Sequence, residues 1–599
     1  MLSRMSMLSV RPYKGANMEN NVVHRAAEDL EKHLGDPRRE ENPFSYRQAL
    51  LDDEKESFPE ALYEALNTWG MASYYIPPAI GGRLHSFQEL VAIVKVVARR
   101  DLTAAIAHTA IYLGSAAVWL AGTQAQKEGL ARTVQGGGPV AFGLTEKEHG
   151  SDLLACEVSA VSVDGGFLLS GQKWLINNAQ RSAAMVVYAK TSAQGGPRGF
   201  SLFVLDKEQL DKNNYEYIPK LKTHGIRGAD ICGITFDRCF VASDAIIGMP
   251  GSGLELTLKS LQVTRTMCAA LALGSANTAL FTTLDFSLSR ALYGGSITDI
   301  PAVRRKLVNA FLDMLINDCV TTAAARGLHI VPEQFSTWSS VVKYFVPVTT
   351  ENMMHDLSSL LGARYYLREG NEAIFQKTLR DSAIISLFDG NTAVNLQNIA
   401  LQLRFLLSGS GGGSKGNEGL ADRLDKVFCL GTELPAFDAA KLALFNHGQD
   451  DVLQGLPRCV ELLHTLKEQS VGNRLLVDKL LGFSDRIAQA LASILNRVQD
   501  EGVRSDRGRL KSPVVFELAE EYCSCHAAAS CLQMWLYNRD ILDAYFSRGE
   551  WLLLALARLL KVENYSVDSP LFDNAFDKLK DMHAADQFIS ILPFKMAAK

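Results

Sequence analysis

Arg380-Asp381-Ser382-Ala383-Ile384-Ile385-Ser386-Leu387-Phe388-Asp389-Gly390-Asn391-Thr392 is the stretch on which the reading of this chain turns. An Arg-Asp pair opens it, a short apolar run follows, and a second acid stands directly before Gly. A hydrated carboxylate is a weak base, with a pKa of about 4. Beside Phe388, Ile384, Ile385 and Leu387, a carboxylate at position 389 loses water, and desolvation raises that value. Asp389 is therefore a candidate base for a weakly acidic proton. Gly390 leaves room for the backbone to approach a bound group. The bland alternative is an Asp that caps a helix end. The rest of the chain decides between the two.

Working outward, residues 251–408 around this stretch have helical spacing, and so do residues 20–138. Ala26-Ala-Glu-Asp-Leu-Glu-Lys-His-Leu and Phe58-Pro-Glu-Ala-Leu-Tyr-Glu-Ala-Leu carry apolar residues at intervals of three and four. An Ala-rich stretch from Ala104 to Ala121 predicts a closely packed internal helix. The pattern changes at Gly136-Gly137-Gly138. Over residues 139–250 short alternating or β-branched runs predict antiparallel strands in a small β-domain, among them Cys156-Glu-Val-Ser-Ala-Val-Ser-Val and Met185-Val-Val-Tyr-Ala-Lys. Residues 409–417 read as a Gly/Ser linker. Residues 418–599 read as an extra helical domain. The fold class expected is α+β, mainly α.

A chain of 599 residues implies several domains. Its net charge of −5 lacks the clustered basic face of a nucleic-acid binder. The ten cysteines include one close pair, Cys523 and Cys525, with no matching second pair. Reduced, mostly buried thiols are expected, and no metal site. No uninterrupted apolar run approaches the length of about 20 residues that spans a bilayer. Met1 to Lys14 reads as a frayed start without a signal-peptide core. A formal G-x-G-x-x-G at Gly411, Gly413 and Gly416 falls in the linker, without the preceding strand that a dinucleotide site requires.

Two segments of the β-region carry chemistry. Phe142-Gly-Leu144-Thr145-Glu146-Lys-Glu148-His149-Gly150-Ser151-Asp152 places hydroxyls and flexible backbone in a turn after an apolar strand. Such a turn can bind a polar cofactor edge or a thioester. Gly171-Gln-Lys173-Trp174-Leu175-Ile176-Asn177-Asn178 offers an indole as a wall for a flat ring.

Together these blocks resemble the acyl-CoA dehydrogenase family, whose members usually read T-E-x-x-x-G-S-D and then G-x-K-x-W-I-T-N. The resemblance continues through Leu221-Lys-Thr-His-Gly225-Ile-Arg227-Gly228-Ala-Asp230, Thr264-Arg265, Arg290-Ala-Leu-Tyr293-Gly294 and Gly362-Ala-Arg364 to Asp389-Gly390. It covers roughly residues 25–405 in order. It implies an N-terminal helical domain, a middle β-barrel-like domain and a C-terminal four-helix bundle holding FAD. By the same resemblance, Phe142, Leu144 and Thr145 contact the flavin and Ser151 lies beside flavin and thioester. Trp174 packs on the isoalloxazine, Gly390 and Asn391 border the cofactor, and Arg265 faces substrate. Arg290 and Tyr293 reach a neighbouring subunit's FAD, with Arg290 at the pyrophosphate, an anion its forked donors suit.

The activity implied is α,β-dehydrogenation of an acyl thioester carried on CoA or on an acyl carrier protein. Asp389 would be the base, and electron-transfer flavoprotein or oxygen the electron acceptor. Such an enzyme is cytoplasmic in a bacterium and mitochondrial in a eukaryote. The extra domain is placed like the appendage of very-long-chain acyl-CoA dehydrogenases, which implies a homodimer and leaves membrane association open. Three departures stand out. The base is Asp where the family has Glu, as in nitroalkane oxidase. Ile176 is read at the place of the family's flavin-bonding Thr, and Ser359 at that of its Gln. Where other members carry the acid on an earlier helix, this chain has Thr264. Two alternatives to dehydrogenation remain: a flavin-bound protein kept for assembly or binding, and an enzyme using Asp389 on another acidic C–H substrate.

Overall fold

A computed structural model describes residues 22–408, 419–469, 474–501, 512–562 and 569–598. The expected frayed start and the Gly/Ser linker, with its G-x-G-x-x-G, lie outside the described residues.

The N-terminal part comprises α1 (Val22–Leu34), α2 (Tyr46–Glu54), α3 (Glu60–Trp69), α4 (Phe87–Ala98), α5 (Leu102–Ala121) and α6 (Gln124–Gln135). Local chemistry sets the starts. Ser86 Oγ accepts the N–H groups of Gln88 and Glu89, and the Asp101 carboxylate accepts that of Thr103. Thr123 and Gln126 form a reciprocal capping box on α6. Helix α5 is buried along nearly its whole length, as its small residues predict.

Strands β1 (Val140–Gly143), β2 (Ser159–Val163), β3 (Gly166–Asn177), β4 (Ala184–Lys190), β5 (Phe200–Asp206), β6 (Tyr215–Ile218), β7 (Ile231–Ala242) and β8 (Ile246–Ile247) follow. They form one sheet in the order β6-β7-β3-β2-β4-β5-β8. The expectation of purely antiparallel strands fails where β1 pairs parallel to β4, from Val140 opposite Ala184 to Gly143 opposite Val187, and again where β2 meets β4 in parallel at Ser159 opposite Lys190. Parallel neighbours need a crossover. Here it begins with the Leu144–Asp152 turn, so this topology throws the polar turn out beyond the end of β1.

The second helical part comprises α7 (Gly253–Ser289), the hairpin β9 (Ala291–Leu292) and β10 (Gly295–Ser296), α8 (Pro301–Ile330), α9 (Phe335–Leu361), α10 (Ala373–Ser382) and α11 (Thr392–Leu407). Helix α7 is apolar around most of its circumference because α4, α5, α8, α9 and α10 surround it. By length and composition α5 and α7 would each suit a membrane span, which a search for uninterrupted apolar runs does not reveal. In their most apolar windows they are 78% and 94% buried inside the protein.

Beyond the linker come α12 (Leu420–Phe428), α13 (Asp451–Gln454), α14 (Leu456–Gln469), α15 (Arg474–Glu501), α16 (Pro513–Asn538), α17 (Ala544–Arg548), α18 (Glu550–Leu559) and α19 (Pro570–Ala584). Helix α16 packs on α8 and α11. The chain then returns to its start: the N–H groups of Lys595 and Ala597 donate to Glu28 and Glu31, each at 3.0 Å. Cys523 and Cys525 are buried free thiols.

Candidate active site

The two β-region motifs meet through one buried ion pair. Lys173 Nζ lies 2.7 Å from Glu146 Oε1 and 3.0 Å from the Leu144 carbonyl. The N–H groups of Glu157 and Val158 also donate to the Glu146 carboxylate, at 2.7 and 3.0 Å. Burial alone would push Glu146 up, but Lys173 and these N–H groups outweigh it and hold the carboxyl below its usual range. The Trp174 N–H donates to the Thr145 carbonyl at 2.9 Å. Glu146 and Lys173 thus clamp the Thr145 turn to the Trp174 strand. Reading the motif for its ligand contacts misses this pair.

Between the pairs Lys173–Ile234 and Ile176–Cys232, two residues of β3, Trp174 and Leu175, oppose one of β7, Gly233. Leu175 takes up the extra residue at φ +55°. The bulge leaves Trp174 half-buried and Leu175 43% exposed, while Lys173 and Ile176 are both buried. This corrects the reading of Ile176. Its side chain packs in the β-domain core, 3% exposed, and does not line the outer face. Fixed on Lys173, the family pattern G-x-K-x-W-I-T-N puts its Trp at Leu175, its Ile at Ile176 and its Thr at Asn177. The departures on this strand are therefore Leu175 and Asn177, with Trp174 one place earlier. Asn177 Nδ2 donates to the Ile106 carbonyl at 3.2 Å, joining β3 to α5.

The Arg-Asp pair locks a second loop. Asp381 Oδ1 accepts the Ile226 N–H at 2.6 Å, and Asp381 Oδ2 accepts Lys377 Nζ at 2.6 Å. Arg380 donates to the His224 carbonyl at 2.9 Å and to Asp53 at 2.6 Å. Arg227 pairs with the same Asp53. A Cβ at Gly225 would lie 2.3 Å from the Arg380 carbonyl, so only Gly permits this contact. The Gly225–Asp230 motif and the Arg380-Asp381 pair are two sides of one joint.

Beyond that joint the chain turns through Phe388-Asp389-Gly390 into α11. Asp389 sits at φ +55° and Gly390 at +88°. Asn391, not Asp389, caps α11, its Oδ1 accepting the Val394 N–H at 2.9 Å. The Asp389 carboxylate is half-buried and accepts the Thr264 hydroxyl at 3.1 Å, with Cys268 Sγ 3.8 Å away. Burial raises its pKa, and the Lys343 charge, the Thr264 hydrogen bond, Arg265 and Cys268 oppose that rise.

Arg265 is 5% exposed, and burial brings its pKa down to about 10. Its Nε donates to the Asp389 carbonyl at 3.1 Å, and its Nη1 lies 3.5 Å from Ser340 Oγ. In this structure the guanidinium braces the turn that carries Asp389. A Cβ at Gly390 would meet that guanidinium at 2.9 Å. Leu387 is 58% exposed and does not help desolvate Asp389 as expected. The positive φ of Asp389 turns the chain so that α7 and α9 form its surroundings.

The remaining candidates lie as follows. Phe142 is buried on β1, Leu144 and Thr145 are half-buried in the turn after it, and Ser151 is exposed. Arg290 and Tyr293 occupy the β9–β10 hairpin, with Tyr293 97% exposed. Ser359 Oγ is exposed and accepts Lys306 Nζ at 2.6 Å.

Comparison with known proteins gives this geometry its family. Family models for the acyl-CoA dehydrogenase N-terminal, middle and C-terminal domains match residues 45–137, 141–239 and 251–403. The chain belongs to the acyl-CoA dehydrogenase family of flavoprotein oxidoreductases. A probable acyl-CoA dehydrogenase of Mycobacterium tuberculosis is 28% identical over 344 residues, covering 57% of this chain and 87% of that one. Among solved structures, PigA with FAD and proline superposes with a TM-score of 0.58 at 18% identity, covering 65% of this chain and 99% of PigA. The prolyl acyl carrier protein oxidase AnaB gives 0.57 at 18% identity, covering 63% and 97%.

The residues present fit the family's FAD. Trp174 and Leu175 are left partly uncovered on the strand that the Trp174 N–H ties to the Thr145 carbonyl, so apolar surface adjoins a polar turn, which suits a ring with an apolar face and a polar edge. The exposed Arg290 guanidinium stands ready for an anion.

Proposed function

We propose that the protein dehydrogenates a saturated acyl thioester to the trans-2-enoyl thioester, with Asp389 as the base. The observation that carries this reading is the Asp389 carboxylate itself. It is half-buried and raised by desolvation, yet it accepts a hydroxyl from Thr264 that favours its ionised form. A carboxylate so placed can take the proton α to a thioester carbonyl. Bound FAD would supply the acceptor for the β-hydrogen and its electron pair. Asp389 then carries the α-proton on its carboxyl until solvent removes it. Arg265 and Gly390 fix the turn at 389, and the Glu146–Lys173 clamp fixes the wall formed by Trp174 and Leu175.

The carrier is CoA or an acyl carrier protein; the probable acyl-CoA dehydrogenase relative supports the first and the AnaB neighbour the second. The acceptor is electron-transfer flavoprotein or oxygen. The exposed Arg290–Tyr293 hairpin supports a homodimer in which each subunit reaches the other's cofactor. The Asp side chain favours one second reading. Being one carbon shorter than Glu, it stands about 1.5 Å further back, which suits a smaller acidic C–H substrate than a long-chain thioester.

An anaerobic panel of saturated thioesters, each in CoA and carrier-protein form, tests the proposal on the FAD-loaded protein. Loss of the flavin's visible absorbance with at least one thioester is expected. A fully loaded protein inert to every thioester, but bleached by another carbon acid, would overturn it.

A further inference from the structure

We infer that Lys343 is a positioning residue for Asp389: its buried ammonium anchors the turn that carries the carboxylate and supplies the charge that keeps it ionised. This rests on the reading of Asp389 as the base. Lys343 lies within α9 and is 1% exposed. Its Nζ donates to the Ile385 carbonyl at 2.6 Å and stands 5.4 Å from the centre of the Phe388 ring. Both contacts fall on the segment that leads directly into Asp389.

A carbonyl accepts a hydrogen bond but does not neutralise an ammonium, and a buried charge without a counter-charge costs several kcal/mol. Among the described residues, no carboxylate lies within 4.0 Å of Lys343 Nζ to form a direct ion pair. The titratable and charged groups facing it are Arg265 and Cys268 on α7 and Asp389 on the turn. Helix α11 adds only the amides of Asn391 and Asn395 near that turn. Asp389 is the one acid in this set, and Lys343 reaches the segment leading into it through Ile385 and Phe388. Arg265 spends its donors on the Asp389 carbonyl and on Ser340. Of the influences that hold Asp389 down against burial, the Lys343 charge is the largest.

The division of work is then clear. Arg265 sets where the backbone of residue 389 lies, and Lys343 sets how readily its side chain gives up a proton. Without the ammonium, only Thr264, Arg265 and Cys268 would oppose desolvation, and the base would be protonated over more of the working pH range.

The test is an infrared titration of the FAD-loaded full chain, reading the protonated-carboxyl C=O stretch that Asp389→Asn removes. Lys343→Met should move the midpoint of that band up by about one pH unit. Lys343→Gln keeps an N–H for Ile385 without the charge and should do the same, whereas Lys343→Arg should leave it near the wild-type value. The acid limb of kcat/KM should move with the infrared midpoint. A midpoint unmoved in Lys343→Met and Lys343→Gln, with activity lost equally at every pH, would overturn the inference. Full activity in Asp389→Asn would overturn the base assignment instead, and the infrared midpoint would still judge Lys343.

Discussion

Thr264 Oγ1 stands 3.1 Å from Asp389 Oδ2, so the helix position that carries the acid in some relatives here holds the acid supplied by the α10–α11 turn. The two positions converge on one point in space. A hydroxyl at 264 leaves room for the carboxylate and donates to it. A second carboxylate there would repel the first.

Thr264→Val keeps the shape and removes the donor. A hydrogen bond to a charged group contributes about 1.5–3 kcal/mol. We expect kcat/KM to fall roughly ten- to a hundredfold and its acid limb to move to higher pH, with Thr264→Ser recovering most of the loss. Steady-state kinetics across pH checks this, and an unmoved limb would count against the contact.

The pKa of Asp389 is raised, and the proposed mechanism uses its ionised form. As pH falls, the base is protonated at a higher pH than an ordinary carboxylate would be. The acid limb of kcat/KM should therefore lie above about pH 4, the usual carboxylate value. For stability the sign is the reverse of the usual acid: ionising a carboxyl whose folded pKa is raised costs folding energy above that pKa. A limb at or below the ordinary value would show that burial is not the dominant influence.

The Glu146–Lys173 clamp should matter for stability as well as for cofactor retention. Removing one partner strands a buried charge, which costs about 3–5 kcal/mol. Glu146→Gln or Lys173→Met should lower the urea midpoint accordingly and release FAD during gel filtration. The double variant Glu146→Leu/Lys173→Met should recover stability but not the alignment of Thr145 with Trp174.

Glu31 gives a separate pH signature. It is 1% exposed, and although burial opposes it, Arg100 and Arg99 hold its pKa down to about 2. A depressed carboxyl contributes stability above its unfolded value of about 4.5, and that contribution is lost as pH falls toward about 2. Urea midpoints measured through this window should fall, and fall less steeply in Glu31→Gln. Because Glu31 also accepts the Ala597 N–H, trimming the last residues should raise the proteolytic sensitivity of α1.

Much of this was legible in the chain. The change from helical spacing to short alternating runs near Gly136–Gly138 locates the sheet, because periods of 3.6 and 2 are local properties. Asp389 was legible because an acid between Phe and Gly is a local pattern too. What could not be read is what long-range packing decides. Lys343 and Cys268 carry no motif around them, and Thr264 is legible as a family position but not as a donor to Asp389; only the crossing of α7, α9 and the α10–α11 turn makes the three its neighbours. Ile176 was misread because Trp174 stands one place before the family's Trp, so counting from the indole shifts the family's Thr from Asn177 to Ile176; the bulge at Leu175, which period-two counting does not detect, then buries Ile176 in the core. The parallel pairing of β1 escaped notice because its partner β4 lies some forty residues further along.

The most direct test of the central claim is anaerobic reduction of the bound flavin by a reactive saturated thioester, followed by stopped flow in wild type, Asp389→Asn and Asp389→Glu. The account predicts rapid loss of the visible flavin band in wild type and a rate at least about a thousandfold lower in Asp389→Asn, with FAD fully bound. It predicts measurable reduction in Asp389→Glu. Reduction of Asp389→Asn at the wild-type rate would contradict it.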